Sequence, residues 1–370
     1  MIVHYRRQGP LVRAGWLALA LAPTLAGPAA AQGYQQVNLV SDLPGMGART
    51  DPNLVNPWGI AAAPGGPLWI SDNGKGVSTV YLGNGRPFPT PASPLVVTVP
   101  PPAGVDIASP TGIVFNNTAG FALKPGKPAL FLFATEDGTI SGWNPSVDMT
   151  HALLKVNNAG SAVYKGLALL GNQLYATNFQ ANTIDVFKSD FSSAGSFTDT
   201  ALPAGFAPFG IQNLGGTLVV TFARQNAAKH DDVKGPGNGY VDLFNPSTHT
   251  FTRLISGHAR SPLNSPWGLA LAPAGFGPFS QQLLVGNFGD GRINAFNPRT
   301  GAFVGSLIAP NGSVIAIDGL WSLTFGSDPD DYLHPSLFFT AGISDEQHGL
   351  FGHLKAVASR RTRQRGFRRY

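Results

Sequence analysis

Short apolar runs alternate with polar, glycine- and proline-rich turns from Gln35 to Val357. The runs come in a repeating order. A first strand opens at Asn56-Pro57-Trp58-Gly59-Ile60-Ala61 and recurs as Ser265-Pro266-Trp267-Gly268-Leu269-Ala270. Weaker copies begin at Ser109, Tyr164, Ala207 and Asp318. The glycines Gly59, Gly112, Gly166, Gly210, Gly268 and Gly319 mark the six copies at spacings of 53, 54, 44, 58 and 51 residues. A period of this size is one supersecondary unit. Each copy then has a second apolar run, such as Leu130–Thr135 or Gln282–Gly286, and a third that alternates, such as Thr183-Ile184-Asp185-Val186-Phe187. Alternation at period two predicts a strand with one buried face. Turns such as Asn245-Pro246-Ser247-Thr248-His249 lead to a fourth.

Four antiparallel strands per unit, six times over, predict an all-β six-bladed β-propeller. The sixth unit shows only three strands, ending at Gly349–Val357, and Gln35–Val40 precedes the first unit. That N-terminal strand is expected to supply the missing outer strand and close the ring, which removes an exposed edge. Composition agrees: 43% hydrophobic and 10% aromatic residues exclude a disordered chain, and only 12% charged residues exclude a coiled coil. The absence of cysteine excludes disulfides, thiolate nucleophiles and Cys-ligated metals.

Charge changes the picture at the two ends. Arg6, Arg7 and Arg13 precede an apolar run from Ala14 to Ala26 and a small-residue site at Ala29–Ala31. This predicts a signal peptide over residues 1–31, the propeller over 32–358, and export to the periplasm or the extracellular space. No later run is long enough to anchor the chain in a membrane. Six arginines and no acid fill 359–370, a flexible tail by composition. Between the ends, 16 basic and 20 acidic residues leave a net charge of −4, so the basic pI of about 9.5 does not argue for nucleic acid.

In a propeller, the loop leading into each first strand and the loop between the second and third strands open on one face, around the channel. Asp72, Glu136, Asn178 and Asn287 end second strands there and are the candidate oxygen ligands for a hard cation such as Ca²⁺. Trp58, Asn73, Asp137, Arg224, Trp267, Asp290, Glu346 and His348 complete the expected channel-face binding set. Turn chemistry also accounts for Asp137-Gly138 and Asp290-Gly291. The insertion Arg224–Gly239, with His230, Asp231 and Asp232, belongs to the same face and could cover the mouth. Asp328, Asp330 and Asp331 read as a surface turn. No G-x-S-x-G, H-E-x-x-H, P-loop or dinucleotide fingerprint occurs, so no nucleotide cofactor is expected.

At Asn56–Ala61, Ile70–Asn73, Ala134–Trp143, Val285–Gly291 and His348–Gly352 the chain resembles a family of exported bacterial six-bladed propeller proteins of unassigned activity. Some members end in a hydrophobic PEP-CTERM sorting signal, from which the Arg-rich tail departs. More distantly the architecture is similar to NHL-repeat proteins and to the gluconolactonase and calcium-dependent phosphotriesterase group. Two functions are expected. From the repeat architecture and the absence of a recognised catalytic motif, one is a monomeric propeller that binds a small molecule, glycan or protein on its channel face. From the polar ring and the distant similarity, the other is a Ca²⁺-dependent lactonase or phosphotriesterase-like hydrolase.

Overall fold

The computed structural model describes residues 31–326 and 335–358. The expected signal peptide, the arginine tail and the Asp328–Asp331 turn lie outside the described residues, apart from Ala31. Six sheets of antiparallel strands form a six-bladed propeller, as the repeat predicts. In each blade the first strand is innermost. These inner strands are Pro57–Ala62, Pro110–Phe115, Tyr164–Leu170, Phe206–Leu214, Pro266–Leu271 and Leu320–Phe325. Among the described residues, no helix is long and apolar enough to cross a membrane.

Ring closure follows the expectation and extends it. The N-terminal strand runs from Ala31 to Ser41 and pairs antiparallel with Leu350–Ala358, from Ala31 opposite Ala358 to Ser41 opposite Leu350. A short parallel strand, Arg49–Thr50, then covers its free edge. Tyr34 fastens this strand to blade five. It is 1% exposed, and its hydroxyl donates to the Phe276 carbonyl at 2.9 Å. Near the axis, the Thr340 hydroxyl of blade six donates to the Trp58 carbonyl of blade one.

The core lies mostly between blades. Leu132, Ile140, Leu167 and Leu174 join blades two and three, and Leu284, Ile293, Leu320 and Phe339 join five and six. Each such side chain contributes about 1.5–3 kcal/mol on burial. The alternation in the third strands, expected to mark one buried face, does not mark a solvent face: both sheet faces pack on neighbouring blades, and Thr139–Trp143 and Ile293–Phe296 are buried throughout.

One irregularity repeats in all six blades. The register between first and second strands slips at the same place: between Pro57 and Ile60, Pro110 and Ile113, Tyr164 and Gly166, Pro208 and Ile211, Pro266 and Gly268, and Leu320 and Leu323. Such a bulge re-aims a side chain. Here it carries Trp58, Thr111, Lys165, Phe209, Trp267 and Trp321, and in five blades a glycine follows. At Gly210 an added Cβ would lie 2.2 Å from the Trp267 carbonyl oxygen, and at Gly112 2.4 Å from the Leu167 nitrogen. The glycines let adjacent inner strands touch. Blade six corrects the sequence alignment. Trp321, not Gly319, is the equivalent anchor, and Ser322 takes the glycine place. Gly319 lies before the strand at φ +62°, where an added Cβ would meet the Gly342 carbonyl oxygen at 2.0 Å.

Gly210→Ala is therefore expected to lower unfolding stability by about 1–3 kcal/mol, because the obstructing atom is backbone. Gly83→Ala meets only the Phe338 ring at 3.5 Å and should change it by less than about 0.5 kcal/mol. Urea unfolding midpoints of the two variants check this.

Candidate functional site

The bulges build the floor of the site. Trp58, Phe209, Trp267 and Trp321 come from four blades and meet Phe179 and Phe288 in one buried cluster. Trp58 stacks on Trp321 with centroids 3.5 Å apart, and Phe288 stacks on Trp321 at 3.9 Å. Trp267 stands edge-on to Trp58 and Trp321. The cluster closes the channel beneath the mouth. Toward the opposite face, the channel opens into a cavity of about 520 Å³ bordered by Ile60, Ile113, Leu167, Gln212 and Asn213.

Lys165 occupies the bulge position of blade three, where four other blades carry aromatic rings. It is 2% exposed. Its ammonium sits 5.2 Å from the Trp58 ring centroid and 5.9 Å from that of Phe179. Desolvating an ammonium costs several kcal/mol unless charge and hydrogen bonds answer it. Glu136 accepts a hydrogen bond from it through Oε1, and Asp231 Oδ1 lies 3.6 Å away.

A polar belt continues from this pair around the mouth. Asn73 Nδ2 donates to Glu136 Oε2 at 2.8 Å. Asn56 Nδ2 donates to Asn73 Oδ1 at 3.2 Å and to Glu346 Oε2 at 2.8 Å. Trp321 Nε1 donates to Asn56 Oδ1 at 3.1 Å, which ties belt to floor. The belt thus crosses blades three, two, one and six. Glu346 reaches it from a left-handed turn: Ser344, Asp345 and Glu346 have φ of 57°, 51° and 65°. Non-glycine residues there cost about 1–2 kcal/mol each. The turn is held by Asp318, whose Oδ2 accepts the Ser344 N–H at 2.8 Å. Burial pushes the Glu346 carboxyl above its usual range, with the Asn56 hydrogen bond opposing and the nearby Glu136 charge adding to the rise.

The blade-four insertion covers part of this mouth. Gln225 donates to the Phe179 carbonyl, and Gly235 N–H donates to Asn264 Oδ1 at 2.7 Å. Lys234 places its ammonium 4.2 Å from the Phe288 ring centroid. His230 Nδ1 lies 2.7 Å from Asp231 Oδ1, and both side chains are about half exposed. That hydrogen bond raises the His230 imidazole above its ordinary value and holds Asp231 down at about 2. Asp232, beside Ser265, is pushed up by burial. Ligand atoms of Glu136, His230 and Asp231 lie within 4.8 Å of one another, a geometry that could hold a metal ion.

The expected cation quartet is dispersed among local duties. Glu136 alone joins the belt. Asp72 is fully buried, accepts the Thr79 N–H at 2.9 Å, and faces the charge of Asp51. Asn178 donates to Asp185 at 3.0 Å, and Asn287 donates to the Pro262 carbonyl at 2.7 Å and to Asp290 at 3.0 Å. Of the wider set, Asn73 and Glu346 are in the belt, and Trp58 and Trp267 in the floor. Asp137 caps the Ser109 N–H at 2.8 Å, His348 lies 2.7 Å from Asp42, and Arg224 is exposed at the start of the insertion. Asn56 and Lys165 were absent from that set. The signal for Lys165 was present in the repeat, as a charge aligned with tryptophans.

Two outcomes test this electrostatic frame. Lys165→Met should cost about 3–5 kcal/mol of unfolding stability, since it strands Glu136. Adding Glu136→Leu should return most of that loss in the same denaturant series. The imidazole of His230 should titrate above 6.5 by NMR and fall in Asp231→Asn. The tie between His230 and Asp231 is complete below the ordinary histidine value and weakens as pH rises through the raised one. It also weakens as pH falls below about 4 toward the lowered value of Asp231. Hydrogen-exchange protection in residues 225–239, taken relative to the intrinsic rate at each pH, should therefore be greatest between those limits.

No family model matches the chain. The uncharacterized protein R648 of Acanthamoeba polyphaga mimivirus is 36% identical over 344 residues, covering 89% of this chain and 82% of that protein. The uncharacterized protein L690 of the same virus is 34% identical over 348 residues, covering 89% and 87%. These relatives are viral and give no support to the bacterial origin that the sequence resemblance implied. A catalytically inactive histidine-to-alanine variant of virginiamycin B lyase from Staphylococcus aureus, with quinupristin, has a similar structure. Its TM-score is 0.51 at 13% identity, covering 88% of this chain and 99% of that one, a likeness of fold alone. With that identity and coverage, the chain belongs to the family of the mimivirus proteins R648 and L690.

Proposed function

We propose that the protein is an exported binding module that works through the mouth of its channel, with residues 225–239 as a cover. One observation carries the reading. A belt of buried and half-buried polar side chains, Lys165–Glu136–Asn73–Asn56–Glu346, crosses four blades above an aromatic floor. Apolar residues would hold the blades together there without the desolvation cost. A chain with 12% charged residues nevertheless gathers several of them here. The left-handed turn under Glu346 adds backbone strain to the same site, as ligand sites often do.

A second reading rests on the approach of Glu136, His230 and Asp231 within 4.8 Å. A Ca²⁺-dependent hydrolase would use such a group to hold its cation, with carboxylates as the ligands. The ammonium of Lys165 already stands between Glu136 and Asp231, so a cation there must displace it. Binding therefore stands first.

The test is a screen of defined small molecules by tryptophan fluorescence and thermal shift, since three tryptophans form the floor. Sugars, amino acids, inorganic phosphate and CaCl₂ are suitable probes. At least one saturable response is expected, weakened about tenfold in Glu346→Gln and Asn73→Ala at unchanged fold. A response indifferent to both variants but abolished by Ala168→Trp, in the opposite cavity, would refute the assignment to this face.

A further inference from the structure

Three polar atoms at the mouth are buried and without a hydrogen-bond partner: Trp58 Nε1, Ser265 Oγ and Asp232 Oδ2. Trp58 is 2% exposed and Ser265 0%. The other two floor indoles set the contrast. Trp267 Nε1 donates to the Lys165 carbonyl at 3.0 Å and Trp321 Nε1 to Asn56 at 3.1 Å. Leaving a buried donor or acceptor unpaired costs about 1–3 kcal/mol, so three at one site call for an occupant. They surround the same charges. Trp58 lies beside the Lys165 ammonium, and Asp232 lies on the cover, within reach of the charges of Lys165, Lys234 and Glu346. Asp232 and Ser265 are side by side, close enough for the serine to oppose the rise that burial causes in the carboxyl, so one group can meet both.

The donor set selects the chemistry of that group. An indole N–H only donates, a hydroxyl does both, and a carboxylate oxygen accepts. A simple anion would meet Trp58 and Ser265 but also Glu136, Asp231 and Glu346. A simple cation would meet Asp232 but also the indole N–H and the ammonium of Lys165. Neither ammonium is available to favour an ion, because Lys165 is engaged by Glu136 and Asp231, and Lys234 lies over Phe288. A neutral group that accepts from an indole and donates to a carboxyl fits this set; a hydroxyl does both through one atom, and several at fixed spacing make a polyol.

Building on the channel-mouth reading, we infer that the ligand is a neutral polyhydroxylated molecule, a sugar ring or cyclic polyol. Its hydroxyls take Trp58 Nε1, Ser265 Oγ and Asp232 Oδ2 as partners beneath the cover. Opening of the cover, which carries Lys234 over Phe288, would bare the buried aromatic floor to a ring's C–H face, and the belt supplies further amide and carboxylate partners. Ser265 and Asp232 are then specificity determinants, and the 225–239 segment must open to admit the ring.

The indole N–H resonances of the six tryptophans provide a direct readout. Trp58→Phe identifies the Trp58 signal by its loss. Titration with glucose, N-acetylglucosamine and myo-inositol into the millimolar range should shift that signal saturably for at least one of them. Ser265→Ala and Asp232→Asn should each weaken the response about tenfold while the thermal midpoint stays within a few degrees. A saturable shift with sodium phosphate or CaCl₂ and none with the polyols overturns the ligand class and leaves the channel-mouth reading standing. A Trp58 signal unmoved by every probe means an internal water only, and overturns both.

Discussion

The molecule depends on backbone-to-backbone contact at its axis. Six inner strands can converge only if their sheets lose side chains where neighbours meet, and Gly59, Gly112, Gly166, Gly210 and Gly268 remove them. The same closeness distorts pairing with the second strand, which explains a register slip at one height in every blade. A slip there turns the preceding residue out of the interblade packing. Floor, ammonium and belt all follow from it, since Trp58, Lys165, Phe209, Trp267 and Trp321 each occupy that one position.

Lys165 departs from this frame chemically while obeying it geometrically. The rings of Trp58 and Phe179 flank its ammonium, and rings are favourable partners for a cation when water is excluded. Two carboxylates complete the neutralisation, one from blade two and one from the cover. The result is an internal ammonium that joins three blades and holds the mouth together without an added ion. A charge in such a place is sensitive to its partners. Each carboxylate restrains both the lysine and the segment that carries it.

The six-fold repeat, the strand order and the ring closure were legible because inner-strand residues answer to packing on both sides. Constraint of that kind leaves a periodic mark. Its failure in blade six is instructive. Gly319 looked like the marker because Asp318-Gly319-Leu320 resembles the other copies, whereas the physical anchor is the indole that enters the axis. The site was less legible for a related reason. Asp72, Asn178 and Asn287 pair with Pro57, Tyr164 and Pro266, the place that Thr135 holds opposite Pro110, and their hydrogen bonds close loops inside their own repeats. Glu136 stands one residue further along, the place of Asn73, and both of these join the belt. His230, Asp231 and Asp232 lie in an aperiodic insertion, whose course over the mouth depends on distant anchors such as Asn264 and Phe179.

The shared sixth blade has a consequence for the order of events. The Ser41 hydroxyl donates to the Gly349 carbonyl across 308 positions of chain, and the whole N-terminal strand waits on partners made near the end of synthesis. Loop closure over such distance is slow, and topologies rich in it fold late. Five blades can assemble as the chain emerges, but the circle cannot. Until Leu350–Ala358 has been made, the N-terminal strand has no partner through which to join Leu337–Ala341, so blade six is incomplete. The closed channel mouth and the mechanical integrity of the ring therefore come into being in one final step.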